Sequence, residues 1–137
     1  MKRSFLNLIT VDGRMCRIAE FGFFADSPSF DGESIIFRVE SKYKHFSLET
    51  GMVSDTVQLE FTKNHTSPNG KYTLRLEFAS EVIDSIGYVH LILRDNETAH
   101  ETVLTRFMGC ADSIGEHPFS EDSERIVFFG YPAEEFG

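Results

Sequence analysis

The runs Asp55-Thr56-Val57-Gln58-Leu59-Glu60-Phe61-Thr62 and Tyr72-Thr73-Leu74-Arg75-Leu76-Glu77-Phe78 flank a polar segment, His65-Thr66-Ser67-Pro68-Asn69-Gly70. In the first run Val57, Leu59 and Phe61 alternate with polar neighbours; in the second Tyr72, Leu74, Leu76 and Phe78 do the same. Successive side chains of a strand point to opposite faces, so each run reads as a strand with one dry and one wet face. Pro68 and the Asn69-Gly70 step are chain-reversing residues, and they predict a hairpin over 55–78. Pairing Phe61 with Tyr72 or with Leu74 keeps the apolar residues on one face, whereas a slip of one residue divides them. In the Leu74 register Glu60 stands across from Arg75 on the wet face.

Outward from this hairpin the same patterning recurs. Ser4–Val11 reads as a strand, Asp12-Gly13 as a two-residue type I′ turn, and Arg14–Phe24 as the returning partner. This second hairpin is apolar on both faces: Leu6, Leu8, Met15 and Phe21 share one, and Phe5, Ile9, Cys16 and Ile18 the other. It is therefore expected to be buried on both sides or to lie at a sheet junction. Ala25–Glu33, with Pro28 and three acids, reads as a loop. Ser34–Val39 and His45–Glu49 read as strands. Ala79–Gly87 alone has a helical look, with Ser80 as cap and Gly87 as terminator, although under three turns it needs support from packing. Tyr88–Arg94 and Glu97–Phe107 form a further hairpin around Asp95-Asn96, Gly109–Glu124 a long polar loop, and Arg125–Phe129 a last strand before an acidic tail. No internal repeat stands out. The sum predicts one all-β domain over 1–137, an antiparallel β-sandwich or small barrel of about eight strands, with at most one short helix near 80–86.

The charge sets the class of partner. Thirteen Lys and Arg stand against 22 Asp and Glu, a net of −9 with a pI near 4.9. Binding to nucleic acid depends on neutralising phosphates with cations, so an acidic domain argues against it, and against an anionic membrane surface likewise. A basic protein partner fits; the plainer reading is a negative surface that keeps the chain in solution. Of 137 residues 14 are Phe and none is Trp, which suits a core without internal hydrogen-bond demands. Two cysteines are too few for a disulfide framework. The apolar run after Met1-Lys2-Arg3 is short and ends in Asp12-Gly13, so it reads as a strand and turn rather than a signal segment, and a cytoplasmic location is expected.

Several constellations invite a chemical reading. Asp26, Asp31 and Glu33 in one loop and Asp112, Glu116, Glu121, Asp122 and Glu124 in another would suit a cation if the loops met, but no calcium-loop spacing is present and solvated charge is the simpler expectation. His90 is expected opposite Glu101 and His100 opposite Leu91, on different faces, which fits a cross-strand charge pair better than a general base or a shared metal. Cys110 and His117 lack an orienting third residue, and Asp112 places negative charge near the thiol. Ser113-Ile114-Gly115 lacks the nucleophile-elbow pattern, and Lys71 is a turn lysine rather than part of a phosphate loop. Neither a cofactor nor a metal nor catalysis is expected. The aromatic residues in and beside loops, Phe23-Phe24, Phe30, Phe119 and Phe128-Phe129, are expected either to pack under the loops or to meet another chain. The reading is a non-catalytic, acidic protein-binding module, of inhibitor or immunity type, covering a basic partner through Phe30, Asp31, Phe119, Glu121 and Asp122. The alternatives are a small β-barrel holding an apolar ligand and a structural subunit of a larger assembly.

Overall fold

Ile126 and Phe128 face one side of the last long strand and Val127 and Phe129 the other, and both sides are dry. That strand belongs to the middle of three antiparallel sheets, seen in a computed structural model that describes residues 3–58, 64–83 and 86–132, with backbone alone for 79–83, 86, 87 and 132. The strands are β1 (Ser4–Thr10), β2 (Met15–Phe21), β3 (Asp26–Asp31), β4 (Ser34–Val39), β5 (Lys42–Ser47), β6 (Val53–Thr56), β7 (Tyr72–Ile83), β8 (Ile86–Asp95), β9 (Glu101–Gly109), β10 (Arg125–Phe129) and β11 (Tyr131–Pro132). A 3-10 turn spans Ala111–Ser113.

The middle sheet has the order β10-β1-β2 and is flanked by β3-β4-β5-β6 on one side and β11-β9-β8-β7 on the other. Ile9, Ile126 and Phe128 join Leu74, Val89, Leu91, Leu93 and Phe107 in one core. Leu6, Phe21, Val127 and Phe129 join Phe30, Ile35, Phe37 and Phe46 in the second. The fold is thus all-β and antiparallel, with three sheets packed around two cores, and among the described residues each sheet order is open. Of the hairpin with two apolar faces only β1 is buried on both sides; β2 is the edge strand of the middle sheet, and its Cys16, Arg17 and Glu20 are exposed, so the expected two-sided burial holds for one strand of the pair.

Which residue faces which core differs from the sequence reading, and the cause is one residue of loop length. The Gly13 amide bonds to Thr10 O at 2.9 Å and Thr10 N to Arg14 O at 2.8 Å, leaving three loop residues instead of two. Gly13 takes a φ of +94°, which a side chain resists. Ile9 therefore pairs with Met15, not Cys16, and Met15 joins the Ile9 core while Cys16 is exposed. A bulge then leaves Ile18 unpaired and returns Ala19 and Phe21 to the Leu6 face.

The 55–78 hairpin is corrected as well. β6 pairs with β5, and β7 pairs with β8, Tyr72 opposite Asp95 and Leu74 opposite Leu93. The Pro68-Asn69-Gly70 reversal does form, but it closes a single bridge between Thr66 and Thr73. Leu59–Lys63 lie outside the described residues, so the proposed partners of Phe61 and Glu60 do too. The short helix near 80–86 is also overturned: the backbone to Ile83 and from Ile86 is strand, with a register shift between Phe78 and Val82. A neighbouring strand supplies hydrogen bonds that a helix of under three turns cannot match alone. The expected loop 25–33 contains β3. Ser27 adopts φ +55°, and the bulge between Asp26 and Ser29 admits Pro28 without a lost ladder bond.

Asn7 ties the two ends of the chain together. It is fully buried, and its Nδ2 donates to Phe5 O at 3.1 Å and to Gly130 O at 2.9 Å. Gly130 in turn has no room for a side chain, because a Cβ there would lie 2.3 Å from the Phe107 ring. Asn7→Ala removes a donor from Gly130 O, while Phe5 O keeps the Gly130 amide at 3.1 Å, and the loss expected in urea denaturation is ~1–3 kcal/mol. Asn7→Asp, which turns a donor into an acceptor, should cost more; an unchanged midpoint for both would mean that the clamp contributes nothing.

Candidate functional site

The reversals between strands gather by chemistry at one end of the sandwich. Gly115 N donates to Pro28 O at 3.0 Å and Phe30 N to His117 O at 2.9 Å, so segment 115–119 runs beside β3 in the same direction. It carries the 120–124 turn to the end where Gly32-Glu33 reverses the chain between Asp31 and Ser34. Three further bonds fasten neighbouring turns to this pair: Val11 N to Glu124 O (3.0 Å), Leu48 N to Glu33 O (3.1 Å) and Asn69 N to Ser123 Oγ (3.1 Å). Asn96 N reaches Lys71 O at 2.8 Å, which adds the β8–β9 turn.

These turns bring Asp12, Asp31, Glu33, Glu49, Glu97, Glu121, Asp122 and Glu124 to one end, all exposed, with Asp95 half-buried among them. The cations nearby are Arg14, Lys71, Arg94 and Arg125. Arg14 is engaged with Asp12 at 3.2 Å, and the Arg125 guanidinium lies 5.8 Å from the centre of the Phe30 ring. The result is a carboxylate-rich end on a rigid frame.

Two of its turns are built alike. In one, Tyr72 N donates to Ser67 Oγ (3.0 Å), Gly70 N to Ser67 O (2.8 Å), and Asn69 Oδ1 accepts from Ser67 Oγ (2.6 Å) and Lys71 N (2.9 Å). In the other, Arg125 N donates to Ser120 Oγ (3.1 Å), Ser123 N to Ser120 O (2.9 Å), and Asp122 Oδ1 accepts from Ser120 Oγ and from Glu124 N (3.0 Å). Gly70 and Ser123 occupy the same place, at φ +75° and +63°. Ser67-Pro68-Asn69-Gly70 and Ser120-Glu121-Asp122-Ser123 are thus one turn used twice, a repeat hidden by the replacement of Asn-Gly with Asp-Ser.

The five residues expected to contact a partner divide by burial. Asp31, Glu121 and Asp122 are exposed on the acidic end. Phe30 and Phe119 are each 5% exposed and pack in the two cores, so they brace the turns from below and present no anchor. Phe30 comes from β3, and Phe119 from the segment that runs beside it. His90 stands opposite Arg106, and Arg94 rather than Leu93's other neighbours meets Glu101, which also takes the Arg75 guanidinium at 3.0 Å. His100 closes the β8–β9 loop through its carbonyl, 2.8 Å from Asp95 N. The acid–base pairing expected for His90 and Glu101 therefore does not form. Cys110 donates its amide to Ser113 Oγ at 3.0 Å, whereas His117 is held by Ser29 Oγ and Phe30 N on the segment leading to the other end. Among the described residues no group of three or more His, Cys, Asp or Glu is arranged to hold a metal ion, and no helix is long and apolar enough to cross a membrane.

The opposite end, where β2 leaves for β3 and β9 leaves for the 3-10 turn, is different. A cleft of about 490 Å³ opens there between the middle sheet and the β9 edge, and its wall is mainly apolar. A polar cleft of about 370 Å³ lies beside β3–β5, against Ala111–Glu116, with Arg38 and Asp112 on its wall. Arg38 holds Asp26 through two bonds of 2.9 and 3.1 Å, and this pairing, with Asp112 at 3.7 Å, raises the guanidinium pKa above its ordinary value.

The duplicated turn gives an internal control for pH dependence. Hydrogen bonds from Ser120 and from the Glu124 amide lower the Asp122 pKa from its ordinary 3.8. A depressed carboxylate stabilises the fold above its unfolded value, and that contribution is lost as pH falls through the folded value. Asp122→Asn reproduces the Asn69 turn. Thermal unfolding should then show a shallower acid limb below about pH 4 than the parent, with little change near neutrality. An identical acid limb in both proteins would contradict this.

No protein-family model and no curated protein matches the chain. Among solved structures it is similar to the putative TolB from Agrobacterium tumefaciens, with a TM-score of 0.63 over 96% of this chain and 99% of that one, at 10% sequence identity. At that identity the likeness is one of fold: the three-sheet antiparallel arrangement is shared by a solved protein of nearly equal length.

Proposed function

We propose that this protein is a non-catalytic binding module that sets its carboxylate-bearing end against a basic surface of a protein partner. The observation that carries the reading is the convergence of the Asp31–Glu33 and Glu121–Glu124 turns with the 11–13, 48–51 and 96–99 turns, linked by backbone hydrogen bonds and by the bond from Asn69 N to Ser123 Oγ. Charges held on a fixed frame lose little freedom on docking, and a field of one sign speeds encounter with its opposite.

Burial of Phe30 and Phe119 changes how such contact would work. With the rings beneath the turns, Asp31, Glu33, Glu121 and Glu124 meet the partner directly, and Asp122 holds its turn in shape. A contact of this kind is polar and salt-sensitive, and it suits covering a cationic active site with carboxylates in the place of phosphate. An inhibitor or immunity-type role in the cytoplasm is the concrete form of this proposal; the charge, the size and the rigid acidic end support it.

The test compares the parent with Asp31→Asn/Glu33→Gln/Glu121→Gln/Glu124→Gln as baits in extracts of the producing cell. A basic protein should be retained by the parent, released progressively as salt rises, and retained at least about tenfold less by the quadruple variant. Equal retention by both, or retention that strengthens with salt, would rule the reading out.

A further inference from the structure

The cleft at the end opposite the acidic turns is lined mainly by apolar side chains. Its apolar wall is made by Phe5, Phe24, Met108, Cys110, Phe129 and Tyr131. Phe24 is 44% exposed at the rim, an unusual position for a phenylalanine in a fold that buries most of its rings. Tyr131 stands edge-on to Phe5 with ring centres 4.0 Å apart, which fixes one wall, and Gly109 and Gly130 back directly onto the Phe107 ring, which fixes the floor.

The polar groups on this wall are already engaged within the protein. Ser4 Oγ accepts the Ala25 amide at 2.8 Å, and Ser113 Oγ accepts the Cys110 amide at 3.0 Å. Asp26 and Asp112 share the Arg38 guanidinium, and Arg3 lies 2.8 Å from Glu20. An anionic or cationic occupant would have to break one of these pairs, and its own charge would then sit against apolar surface. An uncharged occupant needs no such exchange. The volume falls in the range of small-molecule sites, ~300–1,000 Å³. A second copy of the chain is disfavoured, since each copy carries a net charge of −9.

We infer that this cleft binds an uncharged, mainly apolar small molecule, independently of the acidic end. The molecule lies against Phe24 and Met108 and covers the Cys110 thiol. Binding removes the exposed Phe24 ring from water, which supplies the driving force.

The probe is N-phenyl-1-naphthylamine, a neutral apolar fluorophore, with its anionic relative 1-anilinonaphthalene-8-sulfonate for comparison. All proteins carry Cys16→Ser so that Cys110 is the one thiol read by maleimide labelling. The neutral dye should bind saturably at one site, outcompete the anionic one, and slow labelling of Cys110 severalfold. Phe24→Ala should weaken it several-fold and Phe24→Asp by about tenfold or more, with unchanged strand circular dichroism. The quadruple acidic-end variant should bind the dye as the parent does, which separates this inference from the proposed function. Dye binding that does not saturate, that ignores both Phe24 changes, or that leaves Cys110 labelling unaltered would overturn it. So would concentration-dependent self-association abolished by Phe24→Asp, because the face would then be a contact between chains.

Discussion

The rest of the molecule depends on a strand pair, β1 and β10, that is dry on both faces. β1 and β10 feed alternate side chains into two cores, and Leu6, Ile126, Val127 and Phe128 are inaccessible to water. Neither flanking sheet has a core of its own; each buries its apolar face only because the middle sheet offers one. The strands of that middle sheet come from opposite ends of the chain, and Asn7 fastens them where β1 approaches Gly130. Most of the sequence must therefore be threaded before either core can close, an arrangement of high contact order.

A fold of this kind sorts its chemistry by position. Strand residues are spent on the two cores, so charge accumulates at the reversals. Hydrogen bonds between turns, from backbone to backbone and from Asn69 N to Ser123 Oγ, then hold one reversal or more from each of the three sheets at a common end, and the acids come with them. At the far end the chain passes through Phe24, Met108 and Tyr131, and a mainly apolar cleft opens there beside the paired charges of Arg3, Asp26, Asp112 and Arg38. Two ends of contrasting character are a consequence of connectivity. They give the fold two ends of different surface chemistry.

The all-β class, the antiparallel pairing and the two-sided burial of β1 were legible in the sequence because alternation reports which face a residue occupies; the same expectation failed for β2, an edge strand that exposes Cys16, Arg17 and Glu20. Alternation does not report which strand lies beside it. Thr56 and Tyr72 looked like the flanks of one hairpin, yet their strands pair outward with β5 and β8. A single extra residue in the Val11-Asp12-Gly13 loop exchanged the positions of Met15 and Cys16, which no face pattern could foresee. Pro28 hid a strand because a bulge absorbs its missing donor. The acidic residues of the candidate site were visible as loop charge, but their convergence was not, since it rests on turn-to-turn bonds between segments distant in sequence. Phe30 reads as a loop residue because Pro28 hides β3, and Phe119 because nothing in its polar surroundings marks it as buried; the Ser120-Glu121-Asp122 turn that follows Phe119 is the signal that this loop is ordered.

Native-state hydrogen exchange tests the dependence on the middle sheet most directly. The amides of β1 and β10 are expected to exchange last, and only by global unfolding, with a protection that matches the stability from denaturant titration. If amides of β4 and β5, or of β8 and β9, remained protected after those of β1 and β10 had exchanged, the flanking sheets would be stable without the middle one and the dependence described here would be wrong.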